Sequence, residues 1–268
     1  MFPYIEIFGR SIGLFQIMLL CGIFSSGIYV CLSSVKLKFD YTDAIIFLLL
    51  LSIGAIAGGY LLYVLVNYRK VLFVVNNINV FENILNIIRF IFSGTIFYGG
   101  LLGGIFTGYI LLKKYLAYKK YVDIVVVSIP LFHFFGRIGC FLGGCCFGIH
   151  SSFGFVHTNN PLTEANGIIR FPVQLLEAAF NMCLFLFLNY LFNNGKYRNR
   201  LIYVYLAIYA IGRFFIEYLR GDEHRGIWFI FSTSQIISVV LILFIFIKLL
   251  LKKCKRKSIH NNVCLPQD

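Results

Sequence analysis

Apolar runs, parted by short polar stretches, repeat along the whole chain, near residues 12–32, 44–66, 88–112, 124–142, 172–192, 201–219 and 227–251. A helix needs about 20 residues to cross the hydrocarbon core of a bilayer, and each run is close to that length. The pattern predicts an all-α integral membrane protein of seven transmembrane helices, built as a single polytopic domain over 1–268. The polar breaks add detail. Residues 143–171 form the longest outer loop, a small extracytoplasmic head, with His150, His157, Thr158, Asn159, Asn160 and Arg170. Residues 67–87 set Asn76, Asn77, Asn79 and Asn83 among Val, Ile and Phe, which suits an interfacial helix. The first apolar run has no basic region before it and no small-residue cleavage site after it, so it reads as a retained span.

Composition removes the soluble alternative. The chain is 59% hydrophobic and 13% charged, against about 25% charged residues in a soluble domain. A net charge of +13 would point to nucleic acid in a soluble protein, but topology accounts for it here. Fifteen Lys and Arg fall in the alternate loops after spans one, three and five, at the end of the last span and in the basic tail 252–268; seven fall on the other side. The positive-inside rule then places the C-terminus in the cytoplasm and the N-terminus outside. No nucleic-acid partner is expected.

Two cations remain well inside apolar spans, Arg137 and Arg213. A guanidinium at bilayer depth costs about 2.5–3.5 kcal/mol on insertion scales, so each marks a functional site that needs an anion. Arg137 lies in a run with glycines at 136, 139, 143, 144 and 148, which let backbone leave the helix or approach a ligand closely. Arg213 and Glu217 are four residues apart, on one helix face, and Arg220 is a second partner for Glu217. A structural ion pair and a guanidinium left for a ligand are both open there. Gln174 and Glu177 share a face one turn after Pro172. Gly54, Gly58 and Gly59 make a small-residue packing face. The pairs Gly99-Gly100 and Gly103-Gly104 predict a bend, a close contact with ligand or backbone, or helix packing. Of eight cysteines only Cys140, Cys145 and Cys146 cluster; small apolar packing is preferred for them over zinc, with a disulfide at the outer surface left open.

Taken together these segments resemble the bacterial prolipoprotein diacylglyceryl transferases. Gly136-Arg137-Ile138-Gly139-Cys140-Phe141 resembles that family's Gly-Arg-x-Gly-Asn-Phe signature, closed by Gly148. Gly99-Gly100-Leu101-Leu102-Gly103 resembles His-Gly-Gly-Leu-x-Gly, and Pro172, Gln174 and Glu177 resemble Pro-Ser-Gln-Leu-x-Glu. Arg213, Glu217 and Arg220 resemble Gly-Arg-Phe-x-x-Glu-x-x-Arg, and Ser234-Gln235-Ile236-Ile237-Ser238 resembles Gly-Gln-Ile-Leu-Ser. The departures are Cys140 and Gly143 at asparagine positions, Cys145 at a glutamate position, Tyr98 at the motif histidine and Phe15 at an N-terminal tyrosine.

The resemblance implies a transferase of the bacterial inner membrane that works as a monomer and uses no cofactor and no metal. Its substrates would be phosphatidylglycerol and the signal peptide of a lipoprotein precursor. A cysteine thiolate would displace glycerol phosphate and take the diacylglyceryl group. Arg137 and Arg213 would bind and stabilise the phosphate, since guanidinium matches phosphate oxygens with a planar fork. Tyr98 is the third catalytic candidate, and Gly99, Gly100, Gln174, Glu177, Glu217 and Arg220 join Arg137 in binding substrate. A tyrosine of ordinary pKa near 10 is a weak base, so the base stays open among Tyr98, Glu177, His133 and His150. A relative acting on another acceptor, and a lipid-binding or transport protein with no chemistry, are the other readings.

Overall fold

The computed structural model describes residues 4–7, 10–69, 97–156, 166–221, 227–228 and 231–263. It is mostly helical, as a chain that must satisfy its own backbone in lipid requires. Among the described residues, five helical segments are long and apolar enough to cross a membrane: Leu14–Lys36, Tyr41–Val66, Leu116–Gly143, Val173–Asn193 and Leu201–Leu219. The chain is therefore a multi-pass membrane protein. The third predicted span begins outside the described residues, as does most of the interfacial segment 67–87. His157, Thr158, Asn159 and Asn160 also lie outside them.

In chain order the elements are β1 (Tyr4–Ile7), β2 (Arg10–Gly13), α1 (Leu14–Lys36), α2 (Tyr41–Val66), α3 (Phe97–Lys114), a 3₁₀ turn (Leu116–Tyr121) and α4 (Val122–Gly143). Then follow β3 (His150–Val156), β4 (Ile169–Arg170), α5 (Val173–Asn193), α6 (Leu201–Ile216), a 3₁₀ turn (Glu217–Leu219), β5 (Ile227–Trp228), β6 (Phe231–Ser232) and α7 (Thr233–Val263). The strands form three separate antiparallel pairs, β1 with β2, β3 with β4 and β5 with β6. The helices group into two units, one of Met1–Tyr29 with Asp123–Asp268 and one of Val30–Val122.

In the Val30–Val122 unit, α2 and α3 touch backbone to backbone. A Cβ on Gly58 would lie 2.3 Å from the Gly99 carbonyl oxygen, and one on Gly103 would lie 2.2 Å from that of Gly54. Helices in lipid lack a hydrophobic drive to associate and rely on close packing, which glycine permits. The Gly99 and Gly103 positions thus serve the α2–α3 seam, and Gly100 faces the Ala55 carbonyl of α2. Below the seam Phe47 stacks on Tyr118 and Phe39 meets Tyr121 edge to face.

In the larger unit, the first turns of α1 pack on α4. Gly139 sits against Phe15 and Met18, and Gly22 against Phe132 and Phe135. Ser26 donates to the Ser128 carbonyl at 3.3 Å, and Tyr29 to Asn189 Oδ1 at 3.0 Å. The last helix starts at Thr233 rather than near 227, because a hairpin precedes it and Ser232 caps it. Ser232 N–H donates to Gln235 Oε1 at 2.9 Å while Gln235 N–H donates to Ser232 Oγ at 3.3 Å, a reciprocal capping box.

Candidate active site

The site forms where four helix ends meet a three-residue stretch of extended chain. After α4 the backbone reverses through Gly144 at φ +73°, and Cys145 N–H returns to the Cys140 carbonyl at 3.1 Å. Phe147–Ile149 then runs between the end of α6 and the start of α5. Gly221 N–H donates to the Phe147 carbonyl at 3.0 Å, Ile149 N–H to the Leu219 carbonyl at 3.0 Å, and Phe171 N–H to the Ile149 carbonyl at 3.0 Å. Glycine is required at 148, where a Cβ would meet the Phe171 carbonyl oxygen at 2.2 Å. Arg170 seals this clasp, with Nη1 donating to the Gly148 carbonyl at 3.3 Å and its guanidinium 4.2 Å from the Phe147 ring centre.

The clasp aligns α5 with α6. Pro172 stands at the N-cap of α5, and its carbonyl accepts from Leu175 N–H at 3.0 Å. That sets Gln174 and Glu177 on the buried face of α5. Gln174 donates to the Cys145 carbonyl at 2.9 Å, tying α5 to the turn. Glu177, one turn on, has a side chain only 5% exposed and bridges two arginines: its Oε2 lies 2.5 Å from Arg137 Nε of α4, and its Oε1 binds Arg213 Nη1 of α6. Arg213 Nη2 lies 2.6 Å from Glu217 Oε2, and Arg220 Nη1 reaches the same oxygen at 4.0 Å. Ser234 of α7 lies 3.3 Å from Arg213 Nη2.

The structure thus joins Arg137, Glu177, Arg213, Glu217 and Arg220 in one network, with Gln174 at its edge. Three guanidiniums face two carboxylates, so these five side chains carry a net charge of +1. Arg137 pairs through Nε rather than the end of its fork, and it is the most exposed of the five at 22%. Buried ions at this density persist only when each is paired.

The remaining candidates are placed as follows. His133 is one turn before Arg137, its ring 5.7 Å from that of Tyr209. His150 is exposed at the start of β3, paired in register with Arg170. Tyr98 lies in the first turn of α3, and its side chain is outside the described residues. Gly99 and Gly100 belong to the Val30–Val122 unit, in the α2–α3 seam. The sequence reading did not rank Ser234, Arg170 or the clasp among site residues. Ser234 was within reach, because Arg213 and the Ser-Gln pair were both marked; the clasp has no periodicity to mark it.

The family model for prolipoprotein diacylglyceryl transferase matches residues 4–251. The chain is 33% identical over 241 residues to the phosphatidylglycerol–prolipoprotein diacylglyceryl transferase of Clostridium tetani, covering 89% of this chain and 92% of that protein. It is 32% identical over 242 residues to phosphatidylglycerol–prolipoprotein diacylglyceryl transferase 2 of Clostridium perfringens, covering 89% and 90%. With the enzyme of the same name from Campylobacter hominis it shares 30% over 237 residues, covering 85% and 82%. A match across nearly the whole length, together with the ordered motifs around Arg137, Glu177 and Arg213, means that the chain belongs to the prolipoprotein diacylglyceryl transferase family.

Proposed function

We propose that this chain transfers the diacylglyceryl group of phosphatidylglycerol to the lipobox cysteine of lipoprotein precursors, releasing glycerol phosphate. The observation that carries the reading is the convergence of two largely buried guanidiniums, Arg137 and Arg213, on the single carboxylate of Glu177. Two guanidiniums fixed side by side suit the oxygens of a phosphodiester, which carries one negative charge. In the step, the thiolate sulfur bonds to the glycerol carbon as that carbon parts from the phosphate oxygen. The electron pair leaves with glycerol phosphate, and the thiol proton goes to a base.

Arg137 and Arg213 hold the phosphate and stabilise charge growing on the leaving oxygen. Glu177 binds both and fixes one guanidinium relative to the other, so little reorganisation is needed as the reaction proceeds. Glu217 and Arg220 support Arg213 from its own helix end. Gln174 holds the turn beside Arg137, and the base that takes the thiol proton is open among Tyr98, Glu177, His133 and His150.

Seven spans in one domain, a head at 143–171, an extracytoplasmic N-terminus and a cytoplasmic C-terminus in the bacterial inner membrane complete the reading, with the monomer as the working unit. Five apolar helices and the fifteen-to-seven asymmetry of basic residues support it. A reporter fused after Asp268 should be active only in the cytoplasm; activity outside the cell overturns the topology. For the chemistry, labelled phosphatidylglycerol is incubated with a lipobox peptide and the purified chain. Label on the cysteine is the expected result. Label held by the protein without transfer means a lipid-binding protein, and label on another acceptor means a relative of different specificity.

A further inference from the structure

The three clustered cysteines, read from sequence as small apolar packing, have a more specific geometry. Cys140 is in the last turn of α4, and Cys145 and Cys146 are in the reversal that follows. The returning backbone stacks the second on the first, and Cys146 takes a positive φ of 55°, a region that a β-carbon disfavours. The result is that all three Sγ atoms lie within 4.8 Å of one another. Zinc–sulfur bonds are about 2.3 Å, so three sulfurs around one tetrahedral ion stand about 3.8 Å apart. The cluster needs only a small contraction to reach that arrangement.

We propose that Cys140, Cys145 and Cys146 form a three-thiolate site for a thiophilic d¹⁰ divalent cation such as zinc. Loading breaks three S–H bonds, forms three metal–sulfur bonds and releases three protons to solvent. The product carries one net negative charge. That charge sign is what the surroundings favour: Arg137 acts electrostatically on Cys140 and Cys146, and Arg220 on Cys146. The two neighbouring guanidiniums would oppose a bare cation but offset the anionic complex. Arg137 is shared with the proposed phosphate site, but metal binding is read without the transfer reaction and stands or falls without it.

The test uses the full-length reduced chain in lipid nanodiscs, titrated with cadmium as the spectroscopic probe under anaerobic conditions. The expected result is one cadmium per chain, with a thiolate-to-cadmium charge-transfer band of three-sulfur intensity. Cys140→Ser, Cys145→Ser and Cys146→Ser should each weaken binding by more than the roughly 10–100-fold lost when an outer-shell partner is removed. Cys183→Ser, in α5, is the control and should leave binding unchanged. A band that survives in the triple serine variant overturns the proposal. So does a two-sulfur intensity in the parent chain, or no cadmium binding when all thiols titrate as reduced.

Discussion

Arg137→Lys separates the two things a guanidinium can do at this position. In the structure Arg137 meets Glu177 through Nε, at 2.5 Å from Oε2. A lysine ammonium stands one bond further along its stem than Nε, so it can keep that pairing and the local charge. What it lacks is the planar fork beyond Nε, the part suited to a phosphate. The expected outcome is therefore a melting temperature close to the parent and a large loss of transfer. A hydrogen bond to a charged group contributes about 1.5–3 kcal/mol, and each 1.4 kcal/mol is roughly tenfold. Losing one such bond in the transition state should lower kcat/KM by about ten- to a hundredfold. The assay is steady-state transfer from phosphatidylglycerol to a lipobox peptide in nanodiscs, beside a thermal melt of the same preparation. A fall in kcat would place the lost contact in the transition state, and a rise in KM alone would place it in binding. If kcat/KM stays within about threefold with an unchanged melt, the fork does not touch the phosphate, and Arg137 is a structural partner of Glu177.

Glu177→Gln should be a stability defect first: it removes the carboxylate shared by Arg137 and Arg213, and breaking a buried pair costs about 3–5 kcal/mol; an unaltered detergent melt would refute the bridging role. Gly148→Ala places a Cβ 2.2 Å from the Phe171 carbonyl oxygen, so α5 and α6 must part; transfer should be lost with reduced yield of folded protein, and normal activity would mean that the clasp does not frame the site. Tyr98→Phe should abolish turnover while phosphatidylglycerol binding is retained; persistent turnover moves the base to Glu177, His133 or His150, or leaves the arginines sufficient.

What the sequence reveals depends on how far apart the partners are. The Arg213–Glu217 pair is visible because helix geometry brings residues four apart together. The Glu177 bridge is not, since it joins three helices and depends on their packing. The glycines at 54, 58, 99 and 103 announce close approach, and the seam they make is with backbone. The hairpin before α7 is hidden inside a continuous apolar run, yet Ser232 and Gln235 spell a capping box three residues apart that marks the true helix start. The extended stretch Phe147–Ile149 is too short to show any alternation, so only tertiary structure exposes it.

That stretch has a bearing on how such a site tolerates change. Its links to Leu219, Gly221 and Phe171 run through main-chain atoms, and every residue except proline offers the same amide and carbonyl. Side chains at 149, 171 and 219 can therefore vary in size and shape without altering the alignment of Glu177 with Arg213, whereas Phe147 is buried beneath the Arg170 guanidinium. The constraint falls instead on what must be missing: a side chain at 148, and at 221, where a Cβ would meet the Gly148 carbonyl oxygen at 2.4 Å. A frame fastened by backbone lets the surrounding sequence drift while its ionic centre keeps its geometry.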